Sequence, residues 1–237
     1  ARGGYFDTLR QKGTVPFNGV PGLGDHNVGM NLAAGNLAAL YQAKTKGVGE
    51  KVETSLFESA VFNMGMMIQA SNYVGIAQHY PIDVREGANP FNGAFETKDG
   101  RVIQFCMPDY NVYYKQFMKA LGREDLVDSE DYFPILTCQA KGKTTEVYDI
   151  VMAQMKTKTA AEWLPILTAA DVAFGLCQSW TEIRNDPQAE ANNCFYDMTY
   201  KNGNTRRLVR PPVKFENMGV PEYKGGPLIG EQGVDIM

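Results

Sequence analysis

The chain has little with which to bind a metal. Its 237 residues include two histidines and four cysteines. Cys106, Cys138, Cys177 and Cys194 stand far apart, with no C-x-x-C pair among them. That spacing argues against a zinc site, and a disulfide framework is not suggested for a chain of this length. Only His26 and His79 supply imidazole. No apolar run approaches the roughly eighteen residues needed to cross a bilayer. The richest stretches, Leu32 to Tyr41 and Ala60 to Ile68, are broken by Gly35, Asn36, Asn63 and Gly65. Positive charge is not in excess either. Lys plus Arg number 23 against 27 Asp plus Glu, a formal net charge of −4. Such a balance gives no broad attraction to nucleic acid or to anionic lipid. No secretory signal is read at the start of the sequence, so reduced thiols and a cytoplasmic location are expected.

What the chain does have is a globular composition. Apolar residues make up 44% and charged residues 21%, far from the profile of a disordered protein. The sequence opens on Ala1-Arg2-Gly3-Gly4, already inside structured-looking sequence, and stops at Gly233 to Met237, where a helix is about to begin. Both ends read as cut.

Residues 1–29 are rich in turn formers, with Gly3, Gly4, Gly13, Gly19, Gly22, Gly24, Gly29, Pro16 and Pro21. They read as loop. Met30, Ala34, Leu37 and Tyr41 then recur at helical spacing and predict one apolar helix face. Lys44, Lys46 and Gly47 supply a C-terminal signal for that helix. Lys51 to Thr54 reads as a short strand. Leu56 to about Asn72 is apolar on nearly every side and predicts a buried helix. Met64, Met66 and Met67 are expected in its packing. Residues 73–92 are irregular.

The texture changes near Gly93. Lys98-Asp99-Gly100-Arg101 lies between two β-rich runs and predicts a hairpin. Helices are predicted from Val112 to Leu121, from Thr144 to Met155, and from the capping box Thr159-Ala160-Ala161-Glu162 onward. Pro165 is expected to kink or end the last of these. Phe195–Tyr200 and Arg206–Val209 flank Lys201-Asn202-Gly203-Asn204, a second hairpin, and a loose tail follows. Three zones result, 1–85, 86–190 and 191–237. The middle zone reads as a small α+β domain. The outer zones have too few strands to cover their own apolar helices.

The segment most suggestive of chemistry is Gly22-Leu23-Gly24-Asp25-His26-Asn27. Asp25 follows glycines at the entry to a helix. One reading makes it a plain N-cap, its carboxylate accepting backbone N–H groups. The other makes it a nucleophile toward an activated acyl group. Glycines beside it would let a substrate approach the backbone, and free N–H groups at a helix start could hold an oxyanion. Spacing alone does not choose between the two. His26 and Asn27 carry the same ambiguity, either orienting a substrate or serving the helix start. Arg206, Arg207 and Arg210 read first as a solvated face. Tyr110, Tyr113 and Tyr114 read as surface and core of one helix.

The Gly-Asp-His segment, together with Ala1-Arg2-Gly3-Gly4 and Gln42-Ala43-Lys44-Thr45-Lys46-Gly47, resembles the family III CoA-transferases. Shorter runs continue the resemblance at Gly49-Glu50-Lys51-Val52, Ser55-Leu56, Tyr80-Pro81, Asn89-Pro90-Phe91, Cys106-Met107-Pro108, Ala120 to Asp125 and Leu208-Val209-Arg210. The branch most resembled acts on 2-hydroxy acids and aryl acids. The resemblance implies an α/β fold with two parts, a Rossmann-like large domain and a small α+β domain. It implies an interlaced homodimer as well. Residues 1–85 would be part of the large domain, 86–190 the small domain, and 191–237 the segment returning to the large one. The N-terminal portion that carries most CoA contacts in the family is lacking from this sequence.

In that family the aspartate at the position of Asp25 is the catalytic nucleophile. Gly24, His26 and Asn27 are then candidates for substrate or oxyanion contacts. The implied reaction moves CoA from an acyl-CoA donor to a carboxylic acid through an aspartyl-CoA thioester. It needs no metal and no permanently bound cofactor, since the CoA ester is a substrate. Two alternatives stay open at this level. One is an acyl-CoA racemase of the same superfamily, using Asp25 as one of two acid/base groups. The other is a non-catalytic, dimerising fragment.

Overall fold

A computed structural model describes residues 2–73, 81–219, 223–227, 229–231 and 233. His79, Tyr80 and the end of the tail lie outside the described residues, as does Ala1. The chain divides into two compact units, Ala1–Gly175 and Leu176–Met237.

The core of the first unit lies between Phe91 and Val172. Strand β1 (Gly93–Glu96) pairs antiparallel with β2 (Val102–Phe105), in the register Phe95 to Ile103. The Asp99-Gly100 turn joins them, as its sequence predicts. A third strand, β3 (Phe174–Leu176), completes a sheet of order β1-β2-β3. Alternation along β2 sends Ile103 and Phe105 inward and leaves Gln104 outside, the period-two pattern of a sheet with one buried face.

Helix α5 (Tyr110–Ala120) starts on Asp109, whose carboxylate accepts from the N–H groups of Asn111 and Val112. It buries Tyr110, Tyr114 and Phe117 and leaves Val112 exposed, a one-sided helix face. Phe91 stacks on Tyr110 with ring centroids 4.4 Å apart and meets Phe117 edge-on at 4.9 Å. Such pairs add to the gain from area burial alone. The Tyr110 hydroxyl donates to the Tyr132 carbonyl at 2.8 Å. Burial pushes its pKa far above the ordinary tyrosine range, so it acts as a neutral donor.

A short helix, α6 (Ile135–Ala140), leads to α7 (Thr144–Met155) and α8 (Ala160–Ala169). The capping box forms as read. The Thr159 hydroxyl accepts the Glu162 N–H, and the Glu162 carboxylate accepts the Thr159 N–H at 2.8 Å. Trp163 is fully buried and donates its indole N–H to the Met155 carbonyl at 2.9 Å. Pro165 does not end α8, which runs on to Ala169. Pro165 is the sixth residue of the helix and removes one interior N–H bond, a loss offset by Trp163 and Leu167, which anchor the same helix in the core.

The N-terminal part departs from its sequence reading. Residues 5–8 form a short helix, α1 (Tyr5–Thr8), within what reads as loop. The long helix α2 (Leu23–Lys46) begins earlier than the periodicity suggests and ends on Gly47 as expected. The apolar run after Leu56 is two helices, α3 (Leu56–Asn63) and α4 (Gly65–Ala70), with Met64 between them. Residues 51–54 form no strand.

The larger departure concerns packing. None of the α2 side chains is fully buried, and the Met30–Leu37–Tyr41 face is open, with Met30 and Leu37 each 67% exposed. The face that packs instead is small and polar. Asn31 donates to the Ser59 hydroxyl of α3 at 3.0 Å. At Gly35 an added Cβ would stand 2.8 Å from Val52 Cγ1, so only glycine lets that segment come so close. On α3 and α4 Phe62 and Met66 are exposed, while Ser59 of α3 and Met64 between the two helices are buried. The expectation of a helix buried on all sides therefore fails here.

Polar ties link this N-terminal part to the core. The Gln11 amide donates to Asp83 at 3.0 Å and accepts the Val84 N–H at 3.1 Å. Two residues on, Arg85 makes a paired contact to Asp149 of α7, at 3.0 and 2.6 Å.

The second unit holds α9 (Pro187–Ala191) and an antiparallel hairpin of β4 (Phe195–Thr199) and β5 (Thr205–Val209). This hairpin is the second one read from sequence. Arg207 pairs with Glu190, and Arg210 donates to the Phe195 carbonyl at 2.8 Å. Among the described residues the strands form only these two small sheets. The Rossmann-like sheet expected of a large domain is not seen among them.

Candidate active site

Gly22 decides where the long helix begins. It is the N-cap of α2, in the left-handed conformation at φ 78°, and no side chain caps this end. Glycine reaches that conformation without the Cβ clash that deters other residues. The chain therefore turns into the helix three residues before Asp25. Asp25 is the third helical residue and not the cap, so its cap reading is overturned.

The Asp25 side chain is exposed. Among the described residues it has no hydrogen-bond or ion-pair partner. A carboxylate in the first turn lies where the helix dipole favours negative charge. Two backbone donors accompany it. The Leu23 N–H goes to the Val20 carbonyl at 3.2 Å and the His26 N–H to the Gly22 carbonyl at 2.9 Å. The N–H groups of Gly24 and Asp25 have no acceptor among the described residues, as the geometry of a helix start requires.

The four candidate residues do not share one surface. Gly24 and Asn27, three apart on the helix, both line a cavity of about 250 Å³ between α1, α2 and α3. Asp25 lies next in the turn, outside the lining. His26 is exposed, and its ring lies against Gly22, where an added Cβ would be 3.6 Å from His26 Cδ2. The cavity wall includes Phe6, Leu23 and Leu56, with Ser59 and Asn63 as polar members. Sequence reading singles out none of these five for the site. Phe6 and Leu56 come from segments about fifty residues apart, and no local pattern joins them. Asn63 carries a faint signal, as one of the polar breaks in an apolar run.

A wider depression beside α7 carries Arg123, Glu146 and Asp149. Each is already ion-paired, with Asp125, Lys143 and Arg85 respectively, which leaves no free charge to meet a substrate. Among the described residues no group of three or more His, Cys, Asp or Glu could hold a metal ion. No helix among them is long and apolar enough to cross a membrane.

The chain is 49% identical, over its full length, to the cinnamoyl-CoA:phenyllactate CoA-transferase of Clostridium sporogenes, of which it covers 57%. It is 36% identical to the (R)-2-hydroxy-4-methylpentanoate CoA-transferase of Clostridioides difficile, of which it covers 58%. The chain thus spans less than two thirds of the length of these curated relatives. Its fold superposes on the crystal structure of Rv3272 from Mycobacterium tuberculosis with a TM-score of 0.78, at 20% identity, over 98% of this chain and 60% of that one. The match to the family model of CoA-transferase family III runs over residues 1–233. With nearly every residue inside that match, the chain belongs to CoA-transferase family III.

Proposed function

We propose that this chain carries the nucleophile of an enzyme that moves CoA from an acyl-CoA donor to a carboxylic acid, the acceptor being a 2-hydroxy or aryl acid. The observation that carries the proposal is the state of Asp25. It is an exposed carboxylate with no partner among the described residues, in the first turn of a helix, directly after Gly24 and beside two free N–H groups. Among the described residues it is spent on neither a cap nor an ion pair.

The chemistry runs as two paired exchanges. An Asp25 oxygen attacks the thioester carbonyl of the donor. A C–O bond forms, the C–S bond breaks, and CoA leaves as thiolate. The thiolate attacks the Asp25 carbonyl of the resulting anhydride. A C–S bond forms and the donor acid departs as its carboxylate. The acceptor carboxylate then attacks the aspartyl thioester, and the released thiolate attacks the acceptor carbonyl of the new anhydride. Asp25 is regenerated as carboxylate. No proton, electron or phosphate is consumed, because the acyl activation is carried throughout. Each attack builds an oxyanion, to which the N–H groups of Gly24 and Asp25, without an acceptor among the described residues, would donate. Gly24 permits close approach, and the Asn27 amide is a further donor. His26 shapes the turn by covering Gly22.

The same reading takes the whole protein to be a cytoplasmic homodimer with a Rossmann-like large domain. Residues 1–85 and 191–237 belong to that domain, and 86–190 to the small one. The open apolar face of α2, with Met30, Leu37, Leu40 and Tyr41 exposed, supports a covering surface from elsewhere in the assembly. The test is covalent. The whole protein is incubated with an acyl-CoA and then with hydroxylamine or borohydride, and its peptides are weighed. Modification at Asp25 is expected. A CoA-binding protein left unmodified there refutes the proposal.

A further inference from the structure

We infer that Gln11 and Arg85 are positioning residues. Together they latch the segment that leads into Asp25 onto the α+β core, and the reaction depends on the latch being closed. This rests on the reading of Asp25 as the carrier of the acyl group. The need for a latch shows in the burial pattern. Among the described residues 2–73 and 81–89, Met64 is the one buried apolar side chain. Burial therefore does little to fix α1 and α2 against the core, and their placement falls to directed polar contacts.

The latch has two halves. In the first, residues 11–12 meet residues 82–84. Gln11 and Ile82 form a single parallel bridge, and the Lys12 N–H donates to the Ile82 carbonyl at 2.8 Å. The half-buried Gln11 amide then makes two bonds at once. Its Nε2 donates to Asp83 Oδ1 at 3.0 Å, and its Oε1 accepts the Val84 N–H at 3.1 Å. A primary amide carries donor and acceptor together, so one side chain serves both. In the second half the same Asp83 oxygen accepts the Arg85 N–H at 3.0 Å and starts a single turn of 3-10 helix, Val84–Glu86. That turn presents Arg85 to Asp149 of α7, with Nε at 3.0 Å from Oδ1 and Nη2 at 2.6 Å from Oδ2. Two parallel N–H groups fix orientation as well as distance. α7 is itself anchored, with Val147 and Val151 fully buried.

The path from the latch to Asp25 has few other fixed points. The Thr14 N–H donates to the Gln11 carbonyl at 3.0 Å, and Arg10 donates to the Thr14 carbonyl at 3.3 Å, closing a turn on the latched residue. Residues 15–18 are exposed. The chain is next held at Gly19, where an added Cβ would stand 2.9 Å from Phe6 Cε1, and it turns into α2 at Gly22. Exposed polar pairs add little to stability. A reacting group misplaced by about 1 Å, by contrast, can cost about 100-fold in rate. A latch of this make-up is therefore read in rate more than in stability.

The test compares rate, local exchange and coupling in the whole protein. Gln11→Ala and Arg85→Ala are expected to slow the trapping of Asp25 at saturating acyl-CoA by about tenfold or more, with only a slight fall in the urea midpoint. Hydrogen exchange is expected to quicken in peptides spanning residues 9–25 and to stay unchanged in β1 and β2. The double variant Arg85→Glu with Asp149→Arg is expected to be faster than either single variant, since the pair is re-formed with its charges exchanged. Lys115→Ala breaks an exposed ion pair of α5 with Asp128, at 2.7 Å, and is expected to change neither rate nor exchange. Quicker exchange at an unaltered trapping rate overturns the inference. So do a rate lost only in step with the urea midpoint, additive losses in the double variant, and a Lys115→Ala protein as slow as the latch variants. Acyl exchange is followed in the same proteins. A wild-type protein that exchanges acyl groups with no modification at Asp25 sinks the nucleophile; the latch still stands if its variants slow that exchange and the double variant recovers it.

Discussion

Replacing Asp25 by asparagine separates a structural from a catalytic role, because the two predict different magnitudes. The side chain is exposed and makes no hydrogen bond or ion pair among the described residues, so the isosteric change breaks no contact. What it removes is a negative charge in the first turn of α2, worth about 0.3–1 kcal/mol at an exposed site. Asp25→Asn should therefore lower stability by no more than about 1 kcal/mol, roughly a fivefold change in the folding equilibrium. The chemical step has no such margin. An amide cannot take an acyl group and release it, and the loss of a nucleophile costs on the order of 10³-fold or more, about 4 kcal/mol of barrier. The assay has two arms on the whole protein. Acyl exchange between a CoA ester and an acid is followed by chromatography, and denaturant unfolding gives the stability. Retention of about a tenth of the wild-type rate, a loss of only about 1.4 kcal/mol, would refute the nucleophile. A stability loss above about 2 kcal/mol would show that Asp25 holds the helix start, since surface changes away from caps and cores stay within about 0.5 kcal/mol.

Three further outcomes follow from the core and its caps. Phe91→Ala removes a fully buried ring stacked on Tyr110 and should cost about 3–5 kcal/mol, seen as a lower urea midpoint at an unchanged slope. Thr159→Ala removes the capping hydroxyl of α8 and should cost about 1 kcal/mol; an unaltered melting curve would deny the capping box any energetic part. Asp99 accepts from the Thr97 hydroxyl and the Ala160 N–H, and these bonds hold its carboxyl below the usual range. A depressed folded value means that its contribution is complete above the unfolded pKa of about 3.9 and is lost as the pH falls through the folded value. Asp99→Asn should therefore lower stability at neutral pH and flatten its decline in acid; a parallel decline in both proteins would contradict the assignment.

The parts of the fold legible in sequence are those fixed by neighbours. The Asp99-Gly100 and Asn202-Gly203 turns set two hairpins because the required backbone angles belong to a few residue types. Thr159 and Glu162 mark a helix start because each satisfies the other's backbone. Gly47 ends α2 for the same kind of reason. The loop reading of residues 1–29 fails at α1 and at the start of α2. There Gly22, and not the first apolar residue, decides where the chain turns. Pro165 does not end α8, because its local penalty is outweighed by Trp163 and Leu167 in the core.

The candidate site divides in the same way. The Gly-Asp-His-Asn run is visible as a run, and its glycines allow a close approach, but spacing alone does not choose between a cap and a nucleophile. Which residues stand opposite is another matter. Phe6, Leu56 and Asn63 reach Gly24 only through the packing of α1 and α3 on α2.

By itself the sequence determined the two hairpin turns, the capping box at Thr159, the end of α2 at Gly47 and the position of one carboxylate beside glycines, because each depends on backbone preferences within a few residues. The tertiary structure alone decided which face of α2 meets its neighbours. Periodicity marks Met30, Leu37 and Tyr41 as an apolar stripe, yet contact goes to Asn31 and Gly35, since the missing Cβ at Gly35 lets Val52 come within reach. Hydrophobic pattern reports that a surface shuns water; it does not say which surface will cover it, and that choice belongs to shape.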